Sequence, residues 1–327
     1  MRLDIVRLGI IGVSWWTDMV WPGFSQASNA RVTWIASRTP QKARDYAETH
    51  GIPHWTGDYD ELIAAPDVDA VFIAAPNFLH DELARRAFAL NKHVLQEKPM
   101  ALSWTAAAAQ AEEARRRGLV LMVDQETRLS DGVRDLPELA RNRLGRIRKV
   151  TVGMTLAERT WGGWRGDAAL TGGSLFEMAI HQIDLARWLF GRNPVAVWAR
   201  GEDTAGKDFT AVFDYGQGDA AVIDFCWRSI GFHQRIELYC EGGFVRQEVD
   251  MPVGDGFRTL VTPEGVERGP NVVGVQTART FRRVLEGFAR SILEGAEAPV
   301  PAEDGVWAVR MAEAARASLR SGVPVAF

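Results

Sequence analysis

Two short segments of this 327-residue sequence contain lysine, histidine and carboxylate residues whose types and spacing are suited to catalysis. Lys98 lies in QEKPM (96–100), and the following proline restricts its backbone. Glu177, His181 and Asp184 lie in SLFEMAIHQIDLARWLFG (174–191), at a spacing that places them on one face of a predicted helix. These groups can move a proton and stabilise a developing alkoxide. A solvated turn is the alternative for Lys98 alone, whereas a polar triplet on an apolar helix favours function.

A possible nucleotide loop follows the first apolar segment, in GIIGVSWWTDMVWPGF (9–24). The dinucleotide fingerprint G-x-G-x-x-G places glycines where this chain has Gly12, Ser14 and Thr17. Serine is small, and its hydroxyl can donate to a phosphate oxygen, so the replacement does not close the site. The loop alone is equally consistent with a plain strand-to-helix turn that buries its tryptophans.

The end of the second predicted strand indicates which nucleotide is bound. A fold that uses NAD places Asp or Glu there for the ribose hydroxyls, but ASRT (36–39) has Ser37 and Arg38. A carboxylate would repel a 2′-phosphate, whereas serine and arginine would bind one. The pair predicts a preference for NADP(H), with NAD(H) still possible, and a surface arginine is the alternative.

Short apolar segments alternate with helical stretches over the first 125 residues. Strands are predicted at 5–11, 31–37, 69–76, 92–97 and 119–124, and helices at 39–51, 80–91 and 103–118. This alternation is typical of parallel βαβ units in a doubly wound sheet, which binds ligands at the carboxyl ends of its strands. We therefore predict a Rossmann-type dinucleotide domain at residues 1–125.

The remainder, residues 126–327, is predicted to be an α+β domain that binds substrate. Long β-rich segments at 147–157, 195–203, 208–227 and 234–249 contain the glycine turns YGQG and EGG, which predict a mostly antiparallel, open-faced sheet. Helices are predicted at 174–191, 278–295 and 303–321. Since a large apolar sheet face should not stay wet, we expect a homodimer or homotetramer formed through this sheet.

Composition excludes several classes of partner. The formal charge of −4 is spread over both halves without a basic block, so neither nucleic acid nor a membrane surface is expected as a partner. Cys226 and Cys240 are too far apart for a short paired zinc motif and too few for a disulfide framework, which predicts no metal and a cytoplasmic location. The expected partner is a small molecule.

The combined motifs identify a family resemblance. The altered glycine loop, DVDAVFIAAPNFLH (67–80), KHVLQEKPMA (92–101), WR (164–165) and GGSLFEMAIHQIDLARWLFG (172–191) occur in the order found in the Gfo/Idh/MocA oxidoreductases. The chain resembles this family over essentially its full length. The resemblance implies a Rossmann domain joined to an open-faced sheet, and activity on a sugar, cyclitol or related polyhydroxy compound. The G-x-S loop is similar to that of the NADPH-using anhydrofructose reductases of the family.

The resemblance also implies roles for individual residues. Lys98 would be the active-site lysine, His181 the acid or base, and Asp184 a carboxylate that orients the substrate, with Glu177 in a position where the family often has aspartate. Trp164 and Arg165 would contact substrate together with Lys98, His181 and Asp184. The implied cofactor contacts are Gly12, Ser14, Trp15, Trp16, Ser37, Arg38, Ala75, Asn77, His80, Glu97 and Lys98. For the tryptophans, ordinary core packing is an equally good interpretation.

Two other functions remain open at this point. A glycoside-cleaving enzyme of the same fold would keep its nicotinamide bound, oxidise a sugar hydroxyl transiently and eliminate the aglycone, without net cofactor turnover. A non-catalytic nucleotide sensor would explain the lost glycines, but the presence of both Lys98 and His181 argues against it.

Overall fold

The computed structural model describes residues 4–157, 162–201, 207–229, 231–251, 256–270 and 277–327. The chain divides into two compact units, one of residues 1–130 with 275–306 and the other of residues 131–274 with 307–327. Trp161, shortly before the WR motif at 164–165, and residues 202–203 of a predicted strand lie outside the described residues. Among the residues described, none of the helices combines the length and the apolar character needed to cross a membrane.

A six-stranded parallel sheet forms the centre of the first unit, in the order β3-β2-β1-β4-β5-β6. Its strands are β1 Val6–Ile11, β2 Ala30–Ala36, β3 His54–Thr56, β4 Ala70–Ile73, β5 His93–Glu97 and β6 Leu121–Asp124. The five strands predicted from apolar segments are confirmed. The short β3 was not predicted, because three residues carry no readable alternation. The strand order reverses between β1 and β4, which is the place where such sheets bind ligands.

Helices connect these strands. They are α1 Trp15–Phe24, α2 Pro40–His50, α3 Tyr59–Ala64, α4 His80–Ala89 and α5 Trp104–Arg117. Gly51 and Gly118 end α2 and α5 in the left-handed conformation, as the sequence predicted. A doubly wound Rossmann architecture is therefore confirmed for the first unit.

The second unit contains a nine-stranded sheet in the order β14-β13-β12-β11-β7-β10-β9-β8-β15. Its strands are β7 Ile147–Ala157, β8 Ala196–Gly201, β9 Asp208–Asp214, β10 Ala220–Ser229, β11 Phe232–Cys240, β12 Gly243–Met251, β13 Gly256–Thr262, β14 Gly265–Pro270 and β15 Val325–Ala326. Both predicted glycine turns are confirmed, since β9 pairs with β10 and β11 with β12 as antiparallel neighbours. The sheet is mostly antiparallel, but β7 pairs with β10 in parallel, which is possible because a long stretch of chain connects the two strands.

Three short helices precede the central helix of the described part of the second unit. They are α6 Leu136–Leu139, α7 Ala168–Thr171 and α8 Ser174–Glu177, and the central helix is α9 Ile180–Phe190. The single helix predicted at 174–191 is wrong, because the chain leaves helical geometry at Met178, where φ is −127° and ψ is −54°. Leu175, Phe176 and Ile180 are buried on both sides of this break, so packing overrides the helical pattern of the sequence.

Two long helices lie near the end of the chain, before β15. They are α10 Ala278–Glu294 and α11 Ala302–Ser321. Helix α10 packs against α1 so closely that a Cβ on Gly23 would lie 2.5 Å from the carbonyl oxygen of Ala278. The ring of Phe281 meets that of Trp16 edge to face, with centroids 5.7 Å apart. Residues 275–306 belong to the first unit. The domain boundary that the sequence predicted at residue 125 assigned them to the second domain.

Candidate active site

A tight turn at Gly12 follows strand β1. Gly12 has a φ of 115°, which side-chain-bearing residues rarely adopt, and a Cβ there would lie 2.5 Å from the carbonyl oxygen of Ala74. Its amide donates to the carbonyl of Ala36 at 2.9 Å. The turn therefore requires glycine, as the first position of a dinucleotide loop does.

Ser14 and Thr17 form a capping box at the start of α1. The side chain of Ser14 accepts from the amide of Trp16, and the amide of Ser14 donates to Oγ1 of Thr17, both at 3.3 Å. The hydroxyl of Thr17 donates to the carbonyl of Gly12 at 2.9 Å. The two replacements of glycine thus stabilise the turn and the helix start.

Ser37 and Arg38 lie directly after strand β2. The hydroxyl of Ser37 accepts from the amide of Thr39 at 3.3 Å. Arg38 is exposed and lies near Tyr59 at the start of α3. Burial raises the pKa of Tyr59, and the nearby Arg38 opposes that increase. A cation therefore lies just after the end of the second strand, beside an uncharged side chain.

Ala75, Asn77 and His80 follow strand β4. Ala75 and Asn77 are buried, and Asn77 begins a short 3-10 turn. His80 is fully buried, with Nδ1 2.8 Å from the carbonyl oxygen of Pro99 and Nε2 2.9 Å from that of Ala75. A neutral imidazole donates to one of these oxygens and a protonated imidazole to both. The His80 ring therefore lies between the segment after β4 and the segment after β5, with one nitrogen facing a carbonyl oxygen of each.

Glu97 and Lys98 lie at the end of β5. Glu97 is buried and accepts a hydrogen bond from the indole nitrogen of Trp16. Lys98 is partly buried, and its peptide bond to Pro99 is cis. Trp15 behaves differently from Trp16, since 45% of its surface is exposed. Of the two tryptophans, Trp16 is the one that packs into the core of the unit.

These residues fit a nicotinamide dinucleotide. The glycine turn lies beside the point where strand order reverses, and it leads into the N-terminus of α1, where an anion is favoured. Since Ser14 accepts from an amide, its hydroxyl proton can still be donated to a phosphate oxygen. Arg38 follows the end of β2, the position that contacts the ribose in dinucleotide-binding sheets.

Trp164 and Arg165 lie together in a 3-10 turn, Gly163–Gly166, of the second unit. The guanidinium of Arg165 lies over the ring of Trp164, 4.5 Å from its centroid. Nε of Arg165 is 3.6 Å from Oε1 of Glu177, which ends α8. Glu177 therefore belongs with Arg165 in an ion pair, on a helix other than that of His181.

His181 and Asp184 lie on α9 and are both buried. Their spacing of three residues places them on one side of the helix, as predicted. Asp184 lies close enough to Tyr215 to change its pKa. Burial raises the pKa of Tyr215, and the negative charge of Asp184 raises it further. The positive charges of Arg187 and Arg192 act in the opposite direction.

A separate cavity of about 510 Å³ lies in the sheet of the second unit. Its lining includes Arg200, Asp224, Cys226, His233 and Arg235, and it contains none of the predicted site residues. Among the described residues, no cluster of three His, Cys, Asp or Glu side chains has the geometry to hold a metal ion.

Sequence reasoning missed three partners of the predicted residues. The S-x-x-T spacing of Ser14 and Thr17 is a capping-box signal that identifies the helix start. Asp124, at the end of β6, is the register partner of Glu97, and its position at a strand end was the available signal. Tyr59 as the partner of Arg38 had no signal, because a three-residue strand and a short turn bring it there.

Family comparisons agree with this geometry. Residues 6–125 match the family described as "Oxidoreductase family, NAD-binding Rossmann fold", and residues 138–246 match the C-terminal domain of the same group. The protein belongs to the Gfo/Idh/MocA family of oxidoreductases.

Similar proteins include enzymes of polyol and sugar chemistry. The chain is 29% identical to the scyllo-inositol 2-dehydrogenase (NADP(+)) IolU of Bacillus subtilis, over 80% of this chain and 79% of the relative. It is 27% identical to the 1,5-anhydro-D-fructose reductase of Ensifer adhaerens, over 93% of each chain. The aldose-aldose oxidoreductase of Caulobacter crescentus, whose crystal structure contains glycerol, has a TM-score of 0.86 at 26% identity and covers 99% of this chain and 100% of its own. The predicted family, fold class and oxidoreductase class are thereby confirmed.

Proposed function

We propose that this protein is an NADP(H)-dependent oxidoreductase that transfers hydride between the nicotinamide and a secondary alcohol or ketone of a sugar, cyclitol or related polyhydroxy compound. The turn at Gly12 carries the proposal, because its backbone conformation and its close approach to Ala74 are those that a dinucleotide loop needs. The named activities of the similar proteins support this substrate class.

The preference for NADP(H) rests on the end of strand β2. Arg38 is an exposed cation near the uncharged side chain of Tyr59, and no carboxylate stands at the position that binds ribose hydroxyls in NAD-dependent folds. Ser37 adds a hydroxyl that can donate while it accepts from Thr39. One similar protein is named for NADP(+) dependence, which is consistent with this assignment.

Lys98 and His181 take the chemical roles in the proposal. When bound, the nicotinamide cofactor accepts or supplies the hydride. His181 removes a proton from the substrate hydroxyl or returns one to the carbonyl oxygen, since imidazole changes charge near neutral pH. The Lys98 ammonium stabilises negative charge on that oxygen. Asp184 orients the substrate, and Gly12, Ser14, Ala75, Asn77 and Glu97 take part in holding the cofactor.

The Trp164–Arg165 pair provides a surface for a polyhydroxy ring. The guanidinium stacks on Trp164 and pairs with Glu177, and guanidinium N–H groups are donors suited to hydroxyl oxygens. Glu177 thus acts in this proposal by positioning Arg165, since its carboxylate is engaged there.

We also propose that the protein forms a homo-oligomer through the open face of its second sheet. Trp198, Phe257 and Val266 are exposed large apolar side chains on strands of this sheet. A face that carries such residues favours association.

The free cysteines Cys226 and Cys240 are consistent with the expected cytoplasmic location.

Nicotinamide fluorescence would test the proposal directly. The purified protein is titrated with NADPH and with NADH, and then screened with keto-sugars, cyclitols and glycosides for a change in nicotinamide absorbance. Tighter binding of NADPH and oxidation or reduction of a polyhydroxy compound are expected. Release of an aglycone without net nicotinamide turnover would instead identify the glycoside-cleaving activity, and binding without any reaction would identify a sensor.

A further inference from the structure

Two carboxyl groups lie side by side at the buried ends of β5 and β6. Glu97 and Asp124 are register partners on adjacent parallel strands, whose backbones lie about 4.8 Å apart. Asp124 is fully buried and Glu97 almost so. Two ionised carboxylates in this arrangement would repel each other in a medium that screens charge poorly. The site therefore favours a form in which one of the two groups keeps its proton.

Hydrogen-bond donors distinguish the two groups. The indole N–H of Trp16 donates to Oε1 of Glu97. Among the described residues, no N–H or O–H group donates a hydrogen bond to either carboxylate oxygen of Asp124. A donor stabilises the ionised form of a carboxyl group, whereas burial without a donor favours the protonated form. The geometry thus assigns the charge to Glu97 and the proton to Asp124.

Several charged groups lie on the segments next to the pair. They are Lys98 after β5, Glu126 and Arg128 in the 3-10 turn after β6, Asp304 in the first turn of α11 and Arg283 on α10. Arg128 is paired with Asp304 at 2.5 Å. Burial, with the charges of Glu97 and Glu126, raises the pKa of Asp124 well above its ordinary value, and Lys98 opposes the increase.

We propose that Glu97 and Asp124 share one proton at neutral pH, and that Asp124 is a positioning residue that acts through Glu97 to hold a single negative charge beside Lys98. A doubly ionised pair would draw the Lys98 ammonium toward the strand ends. A singly charged pair attracts the ammonium less strongly and leaves it able to reach the oxygen of a substrate. The importance for catalysis rests on the proposed function, but the proton shared by the pair does not.

The protonation of the pair is tested by unfolding the full-length protein in urea between pH 5 and pH 7. A carboxyl group whose pKa is raised in the folded state stabilises that state fully below its unfolded pKa of about 3.9, and the stabilisation is lost as the pH rises. The folding constant of the wild type should fall about tenfold per pH unit relative to that of Asp124→Asn. The control Asp81→Asn, which alters a partly exposed carboxylate, should parallel the wild type. Parallel curves for Asp124→Asn and the wild type would overturn the shared proton.

Chemical modification of Lys98 provides a second test that requires no activity. The rate of acetylation of Lys98 by acetic anhydride is followed against pH by peptide mass spectrometry. In Asp124→Asn, Glu97 stays ionised and the pair keeps one negative charge. In Glu97→Gln, the new amide can donate a hydrogen bond to Asp124, so Asp124 ionises and again one negative charge is present. Each single variant should therefore keep the pH midpoint of the wild type, whereas the double variant should lower it by half a unit or more, roughly the effect of losing one nearby charge. A lower midpoint in both single variants would show that two charges are present and would overturn the proposal. If the double variant does not fold, the single variants still decide. Either result leaves the nucleotide titration as an independent test of the proposed enzyme.

Discussion

The indole Nε1–H of Trp16 donates a hydrogen bond to the carboxylate of Glu97, and it thereby joins the first turn of α1 to the end of β5. Both partners are buried. The bond connects the segment that shapes the nucleotide loop to the segment that carries Lys98. The loop after β1, which contains Trp15 and Trp16, is thus connected by a hydrogen bond to the QEKPM segment that contains Lys98.

Trp16→Phe removes this donor while it keeps an aromatic ring against Phe281. Loss of a buried hydrogen bond to a charged group should lower the free energy of unfolding by about 2 kcal/mol. Urea denaturation measures the loss. The control Trp55→Phe alters an exposed tryptophan on β3 and should change stability little. Equal stability of Trp16→Phe and the wild type would show that the bond contributes nothing.

Arg38→Ala should weaken NADPH binding far more than NADH binding, because the removed cation would face only the 2′-phosphate. A loss of roughly tenfold or more is expected for NADPH, the size of one charge-assisted hydrogen bond. Fluorescence titration with both cofactors gives the ratio. Arg31→Ala is the matched control, since Arg31 is exposed near the opposite end of the same strand. Equal losses for NADPH and NADH would exclude the 2′-phosphate assignment.

The sequence predicted the positions of residues that follow strands better than those on the broken helix. Gly12, Arg38, Asn77 and Lys98 each follow a strand whose apolar run is readable, so their common sheet was predictable. Glu177 was wrongly placed on the helix of His181, because periodicity continues through Met178 while the backbone does not. Contacts between distant segments, such as that of Arg38 with Tyr59, depend on packing that no local pattern encodes.

His181→Ala should lower turnover by roughly 10² or more, as expected when a general acid or base is lost. Cofactor affinity should stay nearly unchanged, because the proposed cofactor contacts lie on other residues. Steady-state kinetics and nucleotide titration of the same variant separate the two effects. His54→Ala, an exposed histidine on β3, serves as the control. Unchanged turnover in His181→Ala would remove this histidine from the mechanism.

Asp219 makes the stability of the second unit depend on pH. Its buried carboxylate is 2.6 Å from Nη2 of Arg146 and 3.1 Å from Nε of Arg148, and it also pairs with Arg192. Burial acts to raise the pKa of Asp219, but the hydrogen bond from Arg146 and the charges of all three arginines outweigh it and lower the pKa. The stabilisation is therefore present above the unfolded pKa of about 3.9 and is lost as the pH falls through the folded value.

Asp219→Asn should accordingly be less stable than the wild type at pH 7, and the difference should shrink as the pH is lowered from 5 to 3. Urea denaturation of both proteins across this range measures it. Asp135→Asn is the comparison, because Asp135 also has a lowered pKa through Arg258, against its burial, but its side chain is 49% exposed. Solvent screening should make the effect at Asp135 the smaller of the two. A difference between Asp219→Asn and the wild type that stays constant with pH would mean that the lost stability comes from packing, and that the carboxylate charge plays no part in it.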